Sequence, residues 1–282
     1  MKQRIITAVV AVCILIPILI LADYPLFPVA VAICSVIAVF EMLSCLGLKK
    51  SVAVSAPFYL SAVAFPFLVR FLMSEKELVR SIAFAAIILG MLYLFAVSVF
   101  SHGKYTVQQI GSAFFANLYI LFGFNGIIVV HDWVDGGEYL YLVVFLGAWI
   151  TDIFAYFCGI LLGRGGKHKL IPDVSPKKTV EGSIGGIVFC VLAMILFGVI
   201  VEAIEPSITA NLWIFALGGV FASVVAQVGD LSMSVIKRSC GIKDYGKLFP
   251  GHGGMLDRFD SVIAVSAVLT ALTLFLNFFE RI

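Results

Sequence analysis

Residues 184–204 read IGGIVFCVLAMILFGVIVEAI, an uninterrupted apolar run whose only charge, Glu202, sits near its far end. A helix needs roughly 20 mostly apolar residues to cross a bilayer. In hydrocarbon the backbone must bond within its own segment, which favours a helix. Working outward, eight more stretches of this kind fall at approximately 5–22, 26–48, 52–73, 79–101, 110–130, 139–163, 209–236 and 260–279. The expected fold is therefore all-α: a polytopic integral membrane protein of about nine transmembrane helices. Composition agrees. Of 282 residues, 62% are hydrophobic and 13% charged, where a soluble domain carries about 25% charged.

The first apolar stretch follows Lys2 and Arg4, as the opening of a signal peptide would. No small-x-small cleavage pattern comes after it, and Asp23-Tyr24-Pro25 reads as a loop between helices. The expectation is a retained first helix. With nine spans, one side of the membrane receives Lys2, Arg4, Lys49, Lys50, Lys104 and the basic residues of two loops, 164–183 and 237–259. The other side receives only Arg70, Lys76, Arg80 and Arg281. Cytoplasmic loops carry the Lys/Arg excess, so the N-terminus is expected in the cytoplasm of a cell inner (plasma) membrane. The six cysteines form no C-x-x-C pair and five lie in apolar spans. They read as small packing residues.

Two regions emerge within what reads as a single integral membrane domain. Residues 1–138 are chemically bland and read as transmembrane scaffold, with Glu41, near the end of the second span, as the exception. Residues 139–282 read as a catalytic transmembrane region built around the two basic loops. Asp152 lies inside the sixth span and Asp230 inside the eighth, and Asp257 and Asp260 open the ninth. A carboxylate in hydrocarbon costs at least about 2.5 kcal/mol, so such residues usually serve function and face the bundle interior.

The densest cluster is Ser234 to Asp260, SVIKRSCGIKDYGKLFPGHGGMLDRFD. Lys237, Arg238, Lys243 and Lys247 precede a Gly251-His252-Gly253-Gly254 turn, and Asp257-Arg258-Phe259-Asp260 follows. At a helix start, Asp257 and Asp260 share one face. With Asp230 they offer an all-oxygen ligand set for a hard cation such as Mg²⁺. Cations beside it suit phosphates, and glycines let backbone N–H groups approach an anion. Together these point to phosphoryl or nucleotidyl transfer. Blander readings compete. Lys49, Lys50, Lys167 and Lys169 serve equally well as topology signals. Asp257 and Asp260 alone could be charges favoured by a helix dipole, but that leaves Asp230 and the His-Gly-Gly unexplained. His252 is either a turn residue or a ligand to metal or phosphate.

This segment fits S-x-x-K-R-x-x-x-x-K-D-x-x-x-x-x-P-x-H-G-G-x-x-D-R-x-D without a gap. A second block contains Asp152, Ala155, Tyr156 and Gly159, then Ser175-Pro176-Lys177-Lys178-Thr179-x-Glu181-Gly182. Over residues 140–280 the chain resembles the phosphatidate cytidylyltransferase (CDP-diacylglycerol synthase) family. The resemblance implies that CTP and phosphatidic acid, a membrane lipid, give CDP-diacylglycerol and pyrophosphate. It implies Asp230, Asp257 and Asp260 as metal ligands for Mg²⁺, alone or with a second metal or a monovalent ion. Lys237, Arg238, Lys243 and Arg258 would hold phosphates, along with His252, Gly253 and Gly254. Ser175, Lys177, Lys178 and Thr179 would cap the site, and Asp152 would orient a lysine or the nucleotide. A homodimer is the implied assembly, and no nucleic-acid partner is expected.

Two rivals are weaker. A CDP-alcohol phosphotransferase would carry D-G-x-x-A-R with a G-x-x-x-D-x-x-x-D tail, and neither is present. An ion-coupled secondary transporter could use Asp152, Asp230 and Asp260, but it favours matching inverted halves, and these halves differ.

Overall fold

The computed structural model describes residues 2–163 and 168–281; Arg164 and Lys167, counted above among the basic loop residues, lie outside them. Contacts divide the chain into two units, residues 1–128 with 240–258, and residues 129–239 with 259–282.

In the first unit the apolar stretches form α1 (Lys2–Ile20), α2 (Leu26–Cys45), α3 (Val52–Phe71), α4 (Lys76–Phe100) and most of α5 (Val107–Trp133). Successive helices α1 to α4 pack on one another. Their core is apolar side chains, among them Ala38, Val39, Met42, Val54, Phe58 and Ala62. Helix α4 turns Phe84, Leu89, Phe95 and Val99 outward. Such a surface has no favourable contact with water, and bilayer hydrocarbon satisfies it.

The second unit holds α6 (Gly137–Leu140), α7 (Leu142–Leu162), β1 (Lys169–Ile171), β2 (Ser175–Thr179), α8 (Val180–Ile204), β3 (Ile208–Ala210), α9 (Leu212–Ser239), α10 (Leu256–Leu272) from Phe259 onward, and β4 (Phe279–Arg281). Helix α8 packs against both α7 and α9. Glycines set the closeness of that packing. A methyl on Gly182 would lie 2.4 Å from the Ala155 carbonyl oxygen, one on Gly185 2.4 Å from Cys158 Sγ, and one on Gly219 2.8 Å from Val191 Cα. Helices inside a bilayer gain no hydrophobic drive from meeting each other, so van der Waals contact between close backbones holds them.

Among the described residues, seven helices are long and apolar enough to cross a membrane: α2, α3, α4, α5, α6 with α7, α8 and α9. This is a membrane protein. The expected count of about nine would require the first and last stretches in addition to these seven. The first stretch forms α1 (Lys2–Ile20), of which Val9–Ile20 is described as apolar helix. The ninth stops at Leu272, not near residue 279. Beyond it the chain turns back, and Phe278 and Phe279 set their rings edge-on to Phe215 at 5.3 and 5.1 Å. This places Phe279 opposite Ala210 in an antiparallel β3–β4 pair. The helical fold thus carries two small two-stranded sheets, the other being β1–β2.

Candidate active site

In the first unit, the motif loop closes on itself through backbone bonds. Phe249 N–H donates to the Gly253 carbonyl at 2.9 Å and His252 N–H to the Phe249 carbonyl at 2.8 Å. Gly251 and Gly253 take φ of +79° and +88°, a region open to glycine and strained for other residues. Gly253 is required twice over, since a Cβ there would also meet Asp257 Oδ2 at 2.6 Å.

Asp257 fastens this turn to the helix that follows. Its Oδ2 accepts from the backbone N–H of Tyr245 at 2.7 Å and of Gly254 at 2.9 Å, and the side chain is buried. The ring nitrogen Nδ1 of His252 is buried without a hydrogen-bond partner among the described residues. A buried ring nitrogen of this kind is what a ligand-contacting histidine would present. Lys243, Arg238 and Arg258 are exposed, whereas Lys237 in the last turn of α9 is buried.

Glu41 is the charged exception among the apolar residues of α2. It is 4% exposed, and its two oxygens accept from Met255 N–H and Leu256 N–H, both at 2.9 Å. It therefore caps the start of α10 from a helix more than two hundred residues earlier.

In the second unit, strand β2 leads directly into α8. Thr179 is the N-cap, its Oγ1 accepting from Gly182 N–H at 3.1 Å, and it is buried against Gly159 and Gly163. The cap satisfies an amide that the helix cannot. Ser175 and Lys178 on the same strand are half-buried and Lys177 is exposed. Lys178 Nζ lies 2.6 Å from Asp230 Oδ2 on α9.

Three carboxylates interact around that pair. Asp260 lies within hydrogen-bonding reach of Asp230 and bears the repulsion of both Asp230 and Asp152. Asp260 Oδ1 accepts from Ser261 N–H at 2.9 Å, and Ser261 Oγ donates to Asp152 Oδ2 at 3.1 Å. Ser261, absent from the residues singled out by sequence, thus links two of the acids. Its position next to Asp260 was the only available signal.

Neighbouring carboxylates repel one another, and a shared proton or a cation between them relieves that repulsion. Among the described residues, no group of three or more His, Cys, Asp or Glu side chains has the spacing to hold a metal by itself. The donors nonetheless fit Mg²⁺, which takes hard oxygens and is commonly held by one or two carboxylates together with water and substrate phosphates.

Comparison with known proteins agrees with this chemistry. A model described as "Cytidylyltransferase family" matches residues 2–276. The chain is 34% identical over 272 residues to a phosphatidate cytidylyltransferase of Staphylococcus haemolyticus, covering 96% of this chain and 98% of that protein. It is similarly 33% identical over 272 residues to that of Staphylococcus epidermidis, at the same coverage. Against that of Staphylococcus aureus, identity is 32% over 276 residues, again covering 96% and 98%.

Proposed function

This chain belongs to the cytidylyltransferase family, and from that premise we propose that it transfers the cytidylyl group of CTP to phosphatidic acid, forming CDP-diacylglycerol and pyrophosphate. The observation that carries the reading is the gapless motif Ser234–Asp260 in a chain whose relatives along 96% of its length are named phosphatidate cytidylyltransferases. The family match over residues 2–276 sets aside the ion-coupled transporter.

The nucleophile is a lipid phosphate oxygen, already ionised at neutral pH, so no strong general base is needed. It attacks the CTP α-phosphorus in line, and the bond to the bridging oxygen of pyrophosphate breaks. The obstacle is repulsion between two polyanions. Lys237, Arg238, Lys243 and Arg258, with Lys177 and Lys178 from the β2 block, lower that repulsion by holding phosphate oxygens. Ser175, His252 and the amide of Gly253 supply further hydrogen bonds to phosphate, whereas the Gly254 amide is already donated to Asp257. Asp230 and Asp260 are the carboxylates that would hold Mg²⁺, with Asp257 as the third acid of the motif. When bound, the ion neutralises charge on the phosphates and on departing pyrophosphate.

The acyl chains of the lipid stay in the bilayer, so the reaction belongs at a membrane face. The uneven placement of basic residues supports an inner-membrane protein whose two motif loops face the cytoplasm, where CTP is found. Purified protein in detergent, given CTP, phosphatidic acid and Mg²⁺, is expected to yield CDP-diacylglycerol by mass spectrometry and an equal amount of pyrophosphate. Folded protein that forms neither would refute the assignment.

A further inference from the structure

We propose that Glu41, on α2, is a positioning residue for this reaction: its carboxylate fixes the first turn of α10, and through it the Asp257 carboxylate. The inference rests on the functional reading above. It stands on three observations within one unit of the chain.

First, both Glu41 oxygens are committed. Each accepts one backbone N–H at 2.9 Å, from Met255 and from Leu256, immediately before Asp257. These amides have no partner within the helix, because a helix leaves its first N–H groups unsatisfied. A capping acceptor ordinarily comes from the residue just ahead of the helix. Here that role falls to a side chain from another apolar helix, which ties the start of α10 to α2.

Second, the loop is shaped around this carboxylate. A methyl on Gly254 would sit 2.2 Å from Glu41 Oε1 and 2.6 Å from Oε2, and one on Gly246 2.4 Å from Oε1. At neither position does a positive φ call for glycine. Space for Glu41 is therefore the reason the structure gives for glycine at Gly254, and one of two at Gly246, where Gly254 Cα is also close.

Third, the clamp adjoins the motif carboxylate. Gly254, which touches Glu41, donates its N–H to Asp257 Oδ2. Glu41 thus holds Met255 and Leu256 while Asp257 holds Gly254, so the two carboxylates fix adjoining residues of one turn. Loss of the Glu41 bonds would free the first turn of α10 and let Asp257 drift, and a displacement of about 1 Å can cost two orders of magnitude in rate.

The test uses the full chain in detergent. Wild type is first assayed for CDP-diacylglycerol formation; a folded but inactive wild type would overturn the functional reading and not the role of Glu41. Given active wild type, Glu41→Gln keeps one acceptor and aims a donor at the other amide. It is expected to lower kcat by about tenfold or more while KM for CTP stays within about threefold. Hydrogen–deuterium exchange should quicken in peptides spanning 254–258 and stay unchanged in α8 and α9. Wild-type kcat, or exchange that quickens throughout the protein, would overturn the proposal. Gly254→Ala provides a second arm should Glu41→Gln fail to fold. It should reproduce the kcat loss, and adding Glu41→Asp, whose shorter side chain withdraws the carboxylate, should restore part of it. No restoration would overturn the proposal.

Discussion

Lys178 sets its ammonium 2.6 Å from the carboxylate of Asp230, joining the strand that precedes α8 to the middle of α9. Lys178 belongs to the second motif block and Asp230 lies four residues ahead of the first, so this ion pair joins positions far apart in sequence.

Because both side chains of the pair keep 22% and 28% of their surface exposed, the pair itself contributes about 1 kcal/mol or less to stability. Lys178→Ala should therefore fold normally. It removes the Lys178 cation from Asp230 while the repulsion of Asp260 remains. The expected result is a kcat lower by about tenfold, with half-maximal activation at a lower Mg²⁺ concentration. A Mg²⁺ titration identical to wild type would separate the ion pair from the metal site.

Asp257→Asn should abolish turnover, lowering it by about a hundredfold or more, without unfolding the protein. An asparagine side-chain oxygen can still accept from Tyr245 and Gly254 N–H, so the turn is retained while the charge is lost. Size-exclusion behaviour and thermal midpoint close to wild type are expected alongside the inactive assay. Near-normal turnover would remove Asp257 from the catalytic set.

Lys237→Ala should mainly weaken substrate use. Lys237 is buried at the end of α9, where a lysine also favours the helix C-terminus. Loss of a phosphate ligand would raise KM for CTP or phosphatidic acid by about tenfold. Unchanged kinetics would leave Lys237 as a helix-end charge only.

Gly185→Val tests the packing of α7 on α8. Even the first added carbon would lie 2.4 Å from Cys158 Sγ, and overpacking of this kind costs about 1–3 kcal/mol. Unfolding in mixed micelles should show a lowered midpoint, and a midpoint equal to wild type would mean the helices are free to separate.

The sequence revealed the helices because long apolar runs have one stable backbone solution in hydrocarbon. It also drew attention to Asp152, Asp230, Asp257 and Asp260, because carboxylates are costly there without a purpose. Features that depend on distant partners were hidden. The ninth stretch stops early because Phe278 and Phe279 find Phe215, some sixty residues away in sequence. Thr179 reads as a phosphate contact, yet its hydroxyl also caps α8. Glu41 stood out as a charge in an apolar span, but the amides that receive it lie at Met255 and Leu256. Periodicity along one segment carries no trace of such a pairing.

The most direct test of cytidylyl transfer follows two labels of CTP through one reaction with purified protein, phosphatidic acid and Mg²⁺. Label at the α-phosphorus should enter a chloroform-extractable lipid, label at the γ-phosphorus should appear in water-soluble pyrophosphate, and a chelator should stop both. γ-Label in the lipid, or lipid without label from either position, would contradict the account.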